Sequence, residues 1–191
     1  MTEARLDYRA GPGGVLHGRL RVAGDKSISH RAVMLGALAE GVTRVTGLLE
    51  GEDVLCTLAA FRAMGVPAEG PDRGRLTLHG VGLHGLHAPR GPLDMGNSGT
   101  AMRLMAGILA GQQFDSVLIG DASLSKRPMK RVSEPLGRMG ARIDTAEGGR
   151  PPLKIKGGQK LHGIRYKMPM ASAQVKSSLL LAGLYADGET T

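Results

Sequence analysis

The sequence predicts an α/β fold made of duplicated small subdomains, and three observations lead there. A polar helix start, an apolar helix, a Gly/acidic turn and a strand rich in Thr or Val follow one another from Asp25 to Gly47. The same order returns from Asn97 to Gly120 and again from Ser172 to Thr191. Aligning Gly36, Gly107 and Gly183 gives a period of roughly 70–75 residues, too long for a solenoid and suited to repeated α/β subdomains. A second helix repeats inside the unit, at Val54 to Met64 and at Met129 to Met139. Thirty glycines in 191 residues complete the case, since they disfavour long uninterrupted helices and suit many tight turns.

Each element has its own reason. Gly24-Asp-Lys-Ser-Ile-Ser-His-Arg runs straight into the helical stretch Ala32 to Ala39. Val42 to Thr46 follows as a strand of β-branched residues. The helix Val54 to Met64 ends on Gly65, and the helix Met129 to Met139 ends on Gly140, both at the C-cap position. Asn97, a good N-cap type, opens the second apolar helix, and Val117 to Ile119 is the strand that follows it. Short alternating strands come after each second helix, at Arg75-Leu-Thr-Leu-His and Leu153-Lys-Ile-Lys. The unit therefore reads helix, strand, helix, strand, strand, with a further strand leading in. Ser172 opens the third apolar helix, and a strand at Thr191 closes the segment, so the third unit is incomplete and the chain reads as truncated.

Composition narrows the class. With 41% apolar and 22% charged residues the chain is an ordinary soluble globular protein, and with 3% aromatics and no Trp its core is aliphatic. The net charge of +8 suits nucleic acid, membrane headgroups or small anions. Nucleic-acid modules interleave basic residues with stacking aromatics; here basic residues are dispersed and there are three Tyr and two Phe, which favours small anions. A single cysteine, Cys56, excludes an internal disulfide and a cysteine metal site, and its apolar helix makes it a buried structural thiol. The histidines show no metal-ligand spacing, and His79, His84 and His87 are expected at the surface. The polar N-terminus carries no signal peptide and no apolar run reaches membrane-spanning length, which places the protein in the cytoplasm.

Chemistry concentrates at the helix starts. A helix N-terminus already favours anions, because its first N–H groups lack partners and its dipole is positive there. Lys26 and Arg31 add charge to the first start, and Ser27 and Ser29 add hydroxyls. Gly96-Asn97-Ser98-Gly99-Thr100 opens the second, with Arg103 one turn in; glycine inside a helix costs about 1 kcal/mol relative to Ala, so Gly99 is there to let a ligand approach the backbone. Ser172-Ala173-Gln174-Val175-Lys176 opens the third. Lys126 and Arg127 lie between a strand end and a helix start preceded by Pro128, where an arginine can grip a carboxylate or phosphate through two parallel bonds. If a rotation relates the repeats, these starts converge on one polyanion site.

The motifs Gly-Asp-Lys-Ser-Ile-Ser-His-Arg-Ala, Gly-Asn-Ser-Gly-Thr-Ala-Met-Arg, Gly-Asp-Ala-Ser-Leu-Ser-Lys-Arg-Pro-Met and Met-Ala-Ser-Ala-Gln-Val-Lys-Ser stand in this order from Val22 to Thr191. At these residues the chain resembles the 5-enolpyruvylshikimate-3-phosphate synthase family. The resemblance implies an inside-out α/β barrel of two domains, each of three βαβαββ units about a pseudo-threefold axis, with helix N-termini facing the cleft between domains. It implies domain boundaries too: residues 1–21 pairing with the other domain through a strand at about 4–21, then units at about 22–90, 91–165 and 166–191. It implies the reaction of the shikimate pathway: the 5-hydroxyl of shikimate 3-phosphate attacks C2 of phosphoenolpyruvate as C3 is protonated, and phosphate leaves. By matching positions, Lys26 contacts both substrates and takes part in proton transfer. Lys26, Ser27, Arg31, Ser172, Ala173 and Gln174 hold shikimate 3-phosphate; Lys26, Asn97, Gly99, Arg127 and Gln174 hold phosphoenolpyruvate. The resemblance brings no metal, no cofactor, no nucleic-acid or membrane partner, and a monomeric full-length form.

Two positions depart from one branch of that family: Ala173 replaces a second serine, leaving only its backbone to donate, and Leu104 replaces a proline. Gly99 keeps the small residue of forms sensitive to glyphosate. The family's catalytic Asp and Glu, further arginines and a lysine belong beyond Thr191, so this polypeptide alone is expected to bind and not turn over. A sister enzyme that transfers enolpyruvyl to a UDP-sugar carries Asn where Ser27 stands and a loop cysteine near the second helix, neither of which is present.

Overall fold

Helix α1, Lys26–Leu38, begins where Asp25 caps it: the Asp25 carboxylate accepts from the Ile28 N–H at 2.7 Å. Ser29, His30, Val33, Met34, Gly36, Ala37 and Leu38 are its buried residues, the period of a helix with one face in the core. The structure, a computed structural model, describes residues 7–15 and 17–191. The described residues before α1 carry no helix or strand and are largely exposed. Residues 4–6 and 16 of the strand expected at 4–21 lie outside the described residues.

The duplication is explicit in two sheets. β1 (Glu40–Thr46), β2 (Ala68–Asp72) and β3 (Arg75–Val81) form an antiparallel sheet in the order β1-β3-β2, with α2 (Glu52–Ala63) between β1 and β2. β4 (Leu93–Asp94), β5 (Ser116–Ile119), β6 (Arg142–Ala146) and β7 (Arg150–Lys156) form the second, in the order β4-β5-β7-β6. In both, the strand between the helices pairs with the last strand, as Glu40 with Val81 and Ser116 with Ile155. β4 adds the leading strand, parallel to β5 with Leu93 opposite Leu118. Helices α3 (Gly99–Ala110) and α4 (Lys130–Arg138) complete the second unit, and α5 (Ala173–Gly183) opens the third.

Alternation accounts for the strands: on β7, Pro151, Leu153 and Ile155 are buried while Arg150, Lys154 and Lys156 are exposed. Gly65 and Gly140 follow their helices with φ of 93° and 103°, the left-handed region that glycine enters without penalty. The strand expected at Thr191 is reduced to a parallel bridge between His162 and Asp187, continued by Tyr166 N–H to the Thr191 carbonyl and Thr191 N–H to the Ile164 carbonyl.

The core is aliphatic and centred on α3, where Met102, Leu104, Met105, Ile108 and Leu109 are fully buried. Each such side chain contributes about 2–3 kcal/mol of burial. Leu104 thus occupies core space and keeps the N–H that a proline there would remove. α2 packs on α1 and α3, and α4 packs on α3 and α5. Between α1 and α5 lies an open apolar cavity of about 250 Å³ lined by Met34, Leu35, Leu180 and Leu184. One expectation needs correction: Cys56 is half-buried, because its turn of α2 reaches the surface beside Gly96. His84 and His87 are exposed, and the His79 side chain also reaches the surface, where its Nε2 meets Glu69 across the sheet at 3.0 Å.

Candidate functional site

The starts of α1, α3 and α5 are joined pairwise by side chains. From α1, Arg31 Nη2 donates to Ser177 Oγ of α5 at 2.6 Å, while its Nη1 donates to the Ser27 carbonyl at 2.9 Å. Between α1 and α3, His30 Nε2 lies 3.4 Å from Ser98 Oγ. Between α3 and α5, Arg103 Nη1 donates to Gln174 Oε1 at 2.8 Å and Gln174 Nε2 donates to Thr100 Oγ1 at 2.9 Å. Because a guanidinium only donates, the Gln174 amide is fixed in one orientation. The convergence expected from the repeat is therefore present for these three starts.

Each start pairs a cap with unused donors. Asp25, Ser98 and Ser172 accept from the N–H groups of Ile28, Ala101 and Val175 respectively. The N-cap of α3 is Ser98, not Asn97: the Asn97 side chain is turned away, its Nδ2 donating to Asp121 Oδ2 at 2.7 Å and its Oδ1 accepting from Arg127 Nη2. Asn97 thus serves as a spacer that carries Arg127. The Gly99 N–H donates to the Asn97 carbonyl at 3.1 Å, which leaves the Thr100 N–H as the open donor of that turn among the described residues. Ala173 is the first residue of α5 and exposes only backbone and a methyl group.

The electrostatics favour anions. Burial holds the Arg103 guanidinium below its ordinary pKa, and the Arg127 and Arg131 charges push the same way, which reports a positive potential at the α3 start. Asp121 is held below the usual carboxylate range, first by the Leu124 N–H at 2.6 Å and then by the Asn97 amide. Lys26 Nζ meets Asp53 Oδ2 at 2.9 Å with half of the lysine side chain exposed, a pair that contributes at most about 1 kcal/mol and is easily exchanged for a ligand oxygen. No group of three or more His, Cys, Asp or Glu residues that could hold a metal occurs among the described residues.

Gly99 is a steric requirement. A Cβ there would lie 2.7 Å from Arg103 Nη1 and 3.3 Å from Arg127 Nη1. Gly99→Ala is expected to leave the thermal midpoint unchanged or raised, since both arginine tips can swing and alanine suits a helix. It is expected to weaken binding of an anion at Arg127 about 10-fold. Calorimetry beside thermal unfolding checks the pair; a large loss of stability would contradict it.

Burial holds the His30 pKa below its ordinary value of 6.5, with Lys26 and Arg31 acting in the same direction and Asp53 opposing. A histidine whose folded pKa is depressed binds fewer protons folded than unfolded, so its contribution is complete above pH 6.5 and lost as pH falls below it. The thermal midpoint is therefore expected to drop on acidification below that value, and His30→Asn is expected to flatten that part of the profile.

Residue type alone does not single out Asp25, Asp53, Arg103 and Asp121 as working members of the site. Asp25 is visible as a cap type before an apolar run. Arg103 stands four residues after Gly99 and so on the same helical face. Asp53 carries no signal, because its meeting with Lys26 depends on how α2 packs on α1.

Comparisons with known proteins agree with the fold. The family model described as EPSP synthase (3-phosphoshikimate 1-carboxyvinyltransferase) matches residues 11–191. The 3-phosphoshikimate 1-carboxyvinyltransferase of Hydrogenovibrio crunogenus is 70% identical over 186 residues, 97% of this chain and 42% of that protein. The protein of the same name from Methylococcus capsulatus is 68% identical over 190 residues, 100% of this chain and 44% of its own length. A solved structure of EPSP synthase from Acinetobacter baumannii superposes with a TM-score of 0.89 at 64% identity, covering 91% of this chain and 39% of that one. The chain spans about two fifths of the length of the curated relatives it matches.

Proposed function

The chain belongs to the EPSP synthase (3-phosphoshikimate 1-carboxyvinyltransferase) family, and on that premise we propose that its three joined helix starts hold shikimate 3-phosphate and phosphoenolpyruvate for enolpyruvyl transfer. The observation that carries the proposal is the ring of bonds through Arg31, Ser177, Gln174, Thr100, Arg103, Ser98 and His30, which turns three weak anion sites into one. Lys26, Ser27 and Arg31 on α1 and Ser172, Ala173 and Gln174 on α5 take shikimate 3-phosphate. Arg127, carried by Asn97 and given room by Gly99, takes phosphoenolpyruvate, with Lys26 and Gln174 reaching both ligands.

The chemistry follows from charge. The 5-hydroxyl attacks C2 of phosphoenolpyruvate and gives up its proton as C3 gains one; the tetrahedral intermediate then loses a C3 proton together with phosphate, which restores the carbon–carbon double bond. Fixed donors that face the phosphoryl oxygens before reaction need no reorganisation as charge shifts, which is how such a site lowers the barrier. Lys26 can exchange its Asp53 contact for substrate; its ammonium can then deliver a proton to a reacting carbon, and the neutral amine so formed can take one back. Both ligands are small polar metabolites, so the setting we assign is cytoplasmic, monomeric and free of nucleic acid. No helix among the described residues is long and apolar enough to cross a membrane.

Calorimetric titration of the chain tests the reading. Shikimate 3-phosphate is expected to bind at one site, and phosphoenolpyruvate is expected to add heat that Arg127→Ala removes. Binding of a UDP-sugar in place of shikimate 3-phosphate would assign the chain to the sister activity.

A further inference from the structure

His30 is the one fully buried histidine of the described residues, and its ring lies between α2 and α3. The bland account is an imidazole that fills core space, but its bonds have a direction that this account does not require. Where Thr57 Oγ1 donates its single proton to the Asp53 carbonyl at 3.3 Å, its 2.8 Å contact with His30 Nδ1 has that nitrogen donating, and this is the tautomer proposed below. A neutral ring with Nδ1–H leaves Nε2 as acceptor, and the Ser98 hydroxyl must then donate to it across 3.4 Å. Ser98 Oγ meanwhile accepts the Ala101 N–H at 3.1 Å. Ser98, His30 and Thr57 each donate once and accept once, between the Ala101 N–H at one end and the Asp53 carbonyl at the other.

Both ends of this chain of bonds reach the site. Ser98 stands between Asn97, which carries Arg127, and Gly99. Asp53, whose carbonyl ends the chain, holds Lys26 by its carboxylate. We propose that His30 is a positioning residue, whose Nδ1–H tautomer fixes the Asn97–Gly99 turn against α2 and so sets the phosphoenolpyruvate side of the site. The proposal rests on the substrate reading above. The ring touches no ligand; it acts through Ser98.

The two short amides separate its two bonds. An asparagine amide reaches the place of Nδ1 and keeps Thr57, while a glutamine amide reaches the place of Nε2 and keeps Ser98. His30→Asn is expected to weaken phosphoenolpyruvate binding about 10-fold with shikimate 3-phosphate within about two-fold, and His30→Gln to recover most of the loss. Ser98→Ala added to His30→Asn is expected to cost less than the sum of the two single losses, since the bond to His30 is already gone and only the cap on the Ala101 N–H is newly lost. Equal losses for both ligands, or additive losses in the double variant, would overturn the proposal. Nitrogen-15 shifts of the ring in the unliganded chain test the tautomer independently: Nδ1–H supports the proposal and Nε2–H overturns it. Exchange of the Ala101 amide should quicken in His30→Asn and recover in His30→Gln, and no change in either contradicts it. If the unaltered chain binds neither substrate, the substrate reading falls, and ring tautomer and amide exchange alone decide the relay.

Discussion

Lys26→Met is expected to weaken shikimate 3-phosphate binding about 100-fold while moving the thermal midpoint by less than about 2 °C. The two effects separate because the lysine does little for the fold. Its pair with Asp53 is solvent-screened, with 52% of the lysine side chain exposed, and contributes at most about 1 kcal/mol. Toward a phosphate or carboxylate the same ammonium makes charge-assisted bonds worth about 1.5–3 kcal/mol each, and a loss near 2.7 kcal/mol is two decades in affinity. Methionine keeps the length and apolar stem and removes only the charge and donors. Calorimetry and thermal unfolding on one preparation check the prediction. A change in affinity below about three-fold would remove Lys26 from the site.

Gly107→Ala is expected to lower the stability of the chain by about 2–3 kcal/mol, against the ordinary sign of that substitution. In a helix interior alanine normally gains about 1 kcal/mol over glycine. Here a Cβ at position 107 would lie 2.1 Å from the Ser178 carbonyl oxygen and 2.9 Å from its carbon, both backbone atoms of α5 that cannot rotate aside. α5 must move off α3; overpacking typically costs about 1–3 kcal/mol and more where backbone is struck, so a cost of about 3–4 kcal/mol less the alanine gain leaves the net loss. For a chain of this size the midpoint should fall by roughly 5–10 °C. Because Gln174 and Ser177 ride on α5, binding should weaken as well. A midpoint equal to or above that of the unaltered chain would show that α3 and α5 do not approach as described.

These two predictions also mark what the sequence makes legible. The repeat is readable because Gly36, Gly107 and Gly183 recur with the same flanking chemistry, and the two sheets with their intervening helices follow from it. Lys26, Arg31, Gly99 and Arg127 can be proposed as anion ligands from residue type and from their place at or beside helix starts. The part that stays hidden lies in pairings across elements. Asn97 reads as a cap by residue type, yet Ser98 takes that place because the Asn97 amide is drawn to Asp121 and Arg127, 24 and 30 residues away. Asp53 and Thr57 look like ordinary residues of α2 until packing on α1 brings them to Lys26 and His30. Local propensity sets the elements, and three-dimensional hydrogen bonding decides which polar groups remain for a ligand.

The central claim is that three helix starts make one site. Amide chemical-shift mapping of the isotope-labelled chain during titration with shikimate 3-phosphate tests it most directly. The N–H signals of Lys26 and Ser27 on α1, Thr100 on α3, and Ala173 and Gln174 on α5 are expected to move together and to fit a single dissociation constant. Shifts confined to one helix start, or different constants for different starts, would contradict the account.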